Sequence, residues 1–168
     1  RWLLFWCYSR CVISMGGIWR LFCGHLLNSG WTHLWFNLAA LTVFWLLVQQ
    51  YLSTLLWWIP ALLGSVGISL SLYILQSELG WYVGLSGLLH SLLVTGVIAG
   101  ILHGRRAFTL LLLLICFKVV WEQLYGPLST DFVKLEGNII VNAHLYGVIM
   151  GMISALIFWL VLKTERTP

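Results

Sequence analysis

Apolar residues run along the chain in long stretches, interrupted by glycine, proline and small clusters of polar side chains. Stretches near or above ~20 apolar residues predict helices that cross a bilayer. Five such spans are expected, at about 31–51 ("WTHLWFNLAALTVFWLLVQQY"), 54–75, 84–103, 107–125 and 139–163. The second carries Pro60 and a Gly64/Gly67 pair, and a polar, turn-rich stretch, "GPLSTDFVKLEGN", joins the last two. The opening "RWLLFWCYSR" is too short to span, so residues 1–30 read as an outer loop or interfacial segment. No internal repeat or second domain is apparent. The expected fold is an all-α polytopic transmembrane helix bundle, one domain over residues 1–168.

Composition excludes a soluble domain: 61% of the 168 residues are hydrophobic and 8% charged, against about 25% charged in soluble domains. The net charge of +4 is scattered or sits at span ends, which reads as topology and not as a nucleic-acid patch. Arg105 and Arg106 ("HGRR") fall on the same face as Lys163 and Arg166. The positive-inside rule makes that face cytoplasmic. Glu78, Asp131 and Glu136 fall on the other face, though Arg1, Arg10, Arg20 and Lys134 join them. The four cysteines, Cys7, Cys11, Cys23 and Cys116, show no metal-ligand spacing. Cys7 and Cys11 are poorly spaced for a disulfide if helical, and Cys23 and Cys116 read as buried packing residues.

Parity then groups the polar residues. The first, third and fifth spans run the same way, and each carries its polar cluster near its start: His33 and Asn37, Ser86 and His90, Asn142 and His144. At ~1.5 Å per residue, Ser86 and His144 should lie within roughly 10 Å of the outer boundary. A serine becomes a nucleophile when a histidine takes its proton, and acyl transfer needs donors aimed at the developing oxyanion. Asn37, His33 and the Ser86 backbone N–H, unpaired at a helix start, are candidates for that role. Gly84 would allow a tight turn into the helix and Gly87 a close neighbour. Gly147/Gly151 and Gly96/Gly100 form GxxxG pairs expected to pack the histidine's span on the serine's. Plain packing roles, or a metal site built from His25, His33 and His144, are the blander alternatives. Intramembrane histidines are costly enough to suggest function, and no carboxylate or thiolate accompanies these three, so no metal and no cofactor is expected.

The combination "HLLNSGWTHLWFN", "GLSG" and "AHLYGVIMG" resembles the rhomboid intramembrane serine proteases, from about Trp19 and Arg20 to Gly151. The resemblance implies Ser86 as nucleophile, His144 as base, and His33 and Asn37 lining the oxyanion site. Many rhomboids carry an aromatic residue, often Tyr, one turn after the serine; here it is His90. That residue and "FKVVWEQLYG", with Lys118, Trp121, Glu122 and Gln123, make the chain look most like the rhombosortase subfamily. The resemblance implies a bacterial inner-membrane protease whose active site faces outward. Its substrates would be surface proteins ending in a Gly-Gly motif, an apolar helix and a basic tail. A six-helix family core also implies that a first helix is missing or truncated here.

Lys118 and Glu122 stand i,i+4 inside a span, a spacing that allows mutual neutralisation. Glu122, nearer the outer end, is the candidate to touch substrate or support the site. His90 is expected to pack on His144, and Trp19 and Arg20 to anchor the outer loop. With no Asp placed to orient His144, a Ser–His dyad is expected. The rival readings are a catalytically silent rhomboid-like binding protein and a small transporter or metal-binding membrane protein. A transporter would place its polar groups near the membrane midplane.

Overall fold

The structure, a computed structural model, describes residues 2–52, 54–127 and 140–164. The chain begins in short pieces: helix α1 (Trp2–Trp6), strand β1 (Tyr8–Ser9), helix α2 (Arg10–Ser14) and helix α3 (Arg20–Cys23). The body is built from α4 (Trp31–Val48), α5 (Thr54–Leu75), α6 (Ser86–Leu102), α7 (Ala107–Tyr125) and α8 (Val141–Thr164). Strand β2 (Trp81–Tyr82) precedes α6 and pairs antiparallel with β1, Tyr8 opposite Tyr82. This is an all-α membrane bundle. Trp31–Tyr51, Trp57–Leu75, Ala107–Tyr125 and Val141–Leu160 are each long and apolar enough to cross a membrane.

The third expected span differs. Helix α6 has 17 residues, about 25 Å at ~1.5 Å per residue, short of a hydrocarbon core of ~30 Å. It is also the central helix, packed against α4, α5, α7 and α8, with Val94, Val97 and Ala99 fully enclosed. Being surrounded by protein, it need not reach both boundaries itself.

Small residues set how closely the helices pack. Gly147 and Gly151 lie against α6: a Cβ on Gly147 would stand 2.1 Å from the Gly87 carbonyl oxygen, and one on Gly151 would stand 2.8 Å from that of Ser91. Gly87 in turn faces the Ala143 carbonyl. Thr95 reinforces the seam, its hydroxyl 3.0 Å from the Gly151 carbonyl. The Gly96/Gly100 pair does not join this seam as expected. Gly96 receives Val48 from the end of α4, and Gly100 receives Phe108 from α7.

Residues 2–27 form a packed cap and not a plain loop. Arg20 is buried, and its guanidinium donates to the Leu4 and Cys7 carbonyls at 2.9 and 2.8 Å, anchoring the segment as anticipated. His25 fastens the cap to α5, with Nε2 3.0 Å from both the Ser65 carbonyl and the Ser69 hydroxyl. Burial pushes its pKa down to about 4, so it is held neutral. Cys7 is buried before β1 while Cys11 is exposed on α2, and both are free. Cys23 and Cys116 are only partly buried, contrary to expectation; the Cys23 thiol reaches the Trp6 carbonyl at the rim of the cap. Asp131, Lys134 and Glu136, with most of the "GPLSTDFVKLEGN" stretch, lie outside the described residues, as do Arg1 and Arg166.

Candidate active site

Gly84 adopts φ +153°, a conformation that side-chain-bearing residues rarely take. The bend is held at both ends: the Gly84 N–H donates to the Gly24 carbonyl at 3.2 Å, and the Tyr82 hydroxyl donates to the Gly84 carbonyl at 2.7 Å. The chain can therefore turn directly into α6, with Ser86 as its first residue. Gly87 then lets the start of α8 approach. The Ser86 Oγ lies 2.9 Å from His144 Nε2, within hydrogen-bond reach. His144 is buried one turn into α8, and the two residues come from positions 58 apart in the chain.

The other ring nitrogen meets Glu122, named from the sequence as a residue that could support the site but not as one that orients His144. His144 Nδ1 lies 2.8 Å from Glu122 Oε2, so an arrangement without a carboxylate is corrected to a Ser86–His144–Glu122 chain of contacts. The carboxylate comes from the last turns of α7, which runs opposite to α6 and α8 and so brings its C-terminal end to the serine's level. Glu122 is 3% exposed, and a buried carboxylate needs compensation. Lys118 Nζ provides it at 2.9 Å, one helical turn away. If Nδ1–H of His144 donates to Glu122, Nε2 is left unprotonated and free to accept the serine's proton.

His90 lies on the other side of the imidazole. Its ring stacks on His144 with centroids 4.5 Å apart and planes inclined by 21°, matching its expected packing role. Its Nδ1 is 2.7 Å from the Ser86 carbonyl and its Nε2 is 3.0 Å from Lys118 Nζ.

His33 and Asn37 share one face of the first turns of α4. Asn37 is buried, and its amide N–H donates to the Asn28 side-chain oxygen. An amide NH2 has two hydrogens, so one remains for another acceptor. His33 Nδ1 is 2.9 Å from the Ser29 hydroxyl; when Nδ1 accepts, Nε2–H is left to donate. His33 is close enough to His144 to interact with it electrostatically. Asn28 and Ser29 were missed by the sequence reading, although "NSG" directly before a helix is an available turn signal. Beside them a recess of about 400 Å³ is lined by Leu26, Leu27, Asn28, Gly30, Trp31 and Leu34. Asn142 sits half-buried in the first turn of α8, and among the described residues no hydrogen bond joins its side chain to Ser86 or His144.

Comparison with known proteins follows the same lines. The family model for the Rhomboid domain matches residues 15–161, which include the cap from its second half and all five long helices except the last residues of α8. Neither the curated proteins nor the solved structures return a match. With a family match over most of its length and a helical membrane fold beneath it, the chain belongs to the rhomboid family, a family of intramembrane serine proteases.

Proposed function

We propose that this protein is an intramembrane serine endopeptidase that cuts membrane-anchored protein substrates near small residues. The observation that carries the reading is the 2.9 Å contact between Ser86 Oγ and His144 Nε2, backed by Glu122 on the opposite ring nitrogen. Ser86 Oγ attacks the scissile carbonyl carbon, and its proton passes to His144 Nε2. The carbonyl oxygen becomes an oxyanion that accepts hydrogen bonds from Asn37, from His33 and from the backbone N–H of Ser86 at the start of α6. Collapse breaks the C–N bond, and the leaving amine takes its proton from His144. Water, deprotonated by the same imidazole, then releases the acyl group from Ser86. Transfer to an amine in place of water would follow the same steps.

The substrate proposed is a surface protein with a C-terminal Gly-Gly motif, an apolar helix and a basic tail, as in the rhombosortase subfamily. A helix hides its carbonyls in hydrogen bonds, and glycine lowers the cost of opening it by about 1 kcal/mol per residue relative to alanine. The setting proposed is a bacterial inner membrane, with the serine end of the bundle facing outward. Co-expression with a reporter carrying such a tail tests the reading. Cleavage next to the Gly-Gly pair, absent with Ser86→Ala, supports it. Stable association with an uncut reporter favours a silent binding protein instead.

A further inference from the structure

The contacts around His144 close into a ring. Ser86 Oγ meets His144 Nε2; His144 Nδ1 meets Glu122 Oε2; Glu122 Oε2 meets Lys118 Nζ; Lys118 Nζ meets His90 Nε2; and His90 Nδ1 returns to the Ser86 carbonyl. Every contact lies between 2.7 and 3.0 Å. The ring stitches together α6, α7 and α8, the three helices that hold the serine, the carboxylate and the histidine.

The hydrogens around it have one consistent assignment. An ammonium has three hydrogens and no lone pair, so Lys118 donates to Glu122 and to His90 Nε2. That makes His90 Nε2 an acceptor, and its single proton must sit on Nδ1. There it meets the Ser86 carbonyl, which can only accept. The opposite tautomer would set two donors against each other at Lys118 and two acceptors at Ser86. Lys118 also lies 3.3 Å from His144 Nδ1. This contact closes a triangle in which ammonium and imidazole both donate to one carboxylate oxygen.

On this basis we propose that Lys118 and His90 are positioning residues for the serine–histidine pair, with Lys118 as the branch point that fixes both. Through Glu122 it holds the His144 ring by its edge. Through His90 it holds the same ring by its face and ties α7 to the backbone of Ser86. A phenyl or phenol ring at position 90 would supply the stack, but only an imidazole supplies the stack and the bridge together. The proposal rests on the protease reading and adds why this chain carries a lysine and a second histidine there. It also accounts for a lysine within a membrane-spanning helix, which is costly unless paired.

The test combines reaction rates with a spectrum. A fluorophosphonate probe gives the maximal labelling rate and the half-saturating concentration for full-length protein in detergent. Lys118→Met and His90→Phe each lower the maximal rate by about 10²-fold, the cost of a misplaced catalytic group, at unchanged half-saturation. Lys118→Arg, which can donate to both partners, recovers most of the loss. In ¹⁵N-histidine spectra His90 is protonated at Nδ1 in the wild type, and in Lys118→Met its unprotonated Nε2 resonance moves to that of a ring nitrogen that accepts no hydrogen bond. Where Lys118→Met fails to fold, Lys118→Met/Glu122→Gln removes both charges and must show the same change at His90. Wild-type labelling by His90→Phe would mean that the stack alone suffices and would overturn the bridge. His90 protonated at Nε2 in the wild type overturns the ring outright. An unlabelled wild type whose His90 spectrum is as predicted sinks the protease reading and leaves the hydrogen-bonded ring standing.

Discussion

Gly147→Ala should separate the serine from its base without altering either. A Cβ there would lie 2.1 Å from the Gly87 carbonyl oxygen, whereas carbon and oxygen in contact prefer about 3.3 Å or more. Because the obstructing atom is backbone, no side-chain rotation relieves it, and α6 and α8 must part by about 1 Å. The Ser86–His144 contact starts at 2.9 Å, and an added ~1 Å takes it beyond hydrogen-bond length. Overpacking of this kind costs about 3 kcal/mol of stability, and a 1 Å misplacement costs about 10²-fold in rate. Thermal unfolding in detergent reads the first, and single-turnover fluorophosphonate labelling of the folded fraction reads the second. Gly80→Ala is the matched control, because a Cβ there meets nothing within 4 Å. A folded Gly147→Ala protein that labels at the wild-type rate would refute the argument that glycine-mediated approach sets the Ser86–His144 distance.

Other predictions follow from the same contacts. Glu122→Gln keeps the shape but can present an N–H to His144 Nδ1, so labelling should fall by up to roughly 10⁴-fold, the cost of a wrongly oriented tautomer; unchanged labelling would mean that Glu122 only neutralises Lys118. Asn37→Ala should lower the maximal cleavage rate by about 10²-fold with little change in half-saturation, as for loss of one oxyanion donor. His25 gives a pH dependence to the cap. Its folded pKa of about 4 lies below the model-peptide value of 6.5, so the unfolded segment binds more protons between those values. Stability is full above about pH 6.5 and falls toward pH 4, by roughly 3 kcal/mol in all. Proteolysis of the cap followed against pH should show this fall, and His25→Leu should abolish it.

Much of this arrangement was legible in the residues. Apolar runs located the long helices, because a bilayer leaves a chain few other ways to satisfy its backbone. Parity brought His33, Asn37, Ser86 and His144 to one end, since helix direction alternates along an up-and-down chain. The carboxylate behind His144 was harder to see. The i,i+4 spacing pairs Glu122 with Lys118, and its place near the outer end makes it a candidate to support the site, but only the rotation of α7 about its axis decides that one carboxylate oxygen serves both lysine and histidine. The Gly96/Gly100 pair misled for a related reason. A GxxxG spacing marks close packing, but it does not say which neighbour approaches, and here Val48 and Phe108 do. Asn28 escaped notice because its relation to Asn37 depends on a loop folding back onto the first turns of α4.

The central claim is that Ser86 is activated by His144. The most direct measurement is fluorophosphonate labelling of the detergent-solubilised protein, with the modified residue located by mass spectrometry. Labelling at Ser86 that is lost in both Ser86→Ala and His144→Ala is the predicted result. A folded wild-type protein that stays unlabelled, or labelling that persists without His144, would contradict the claim.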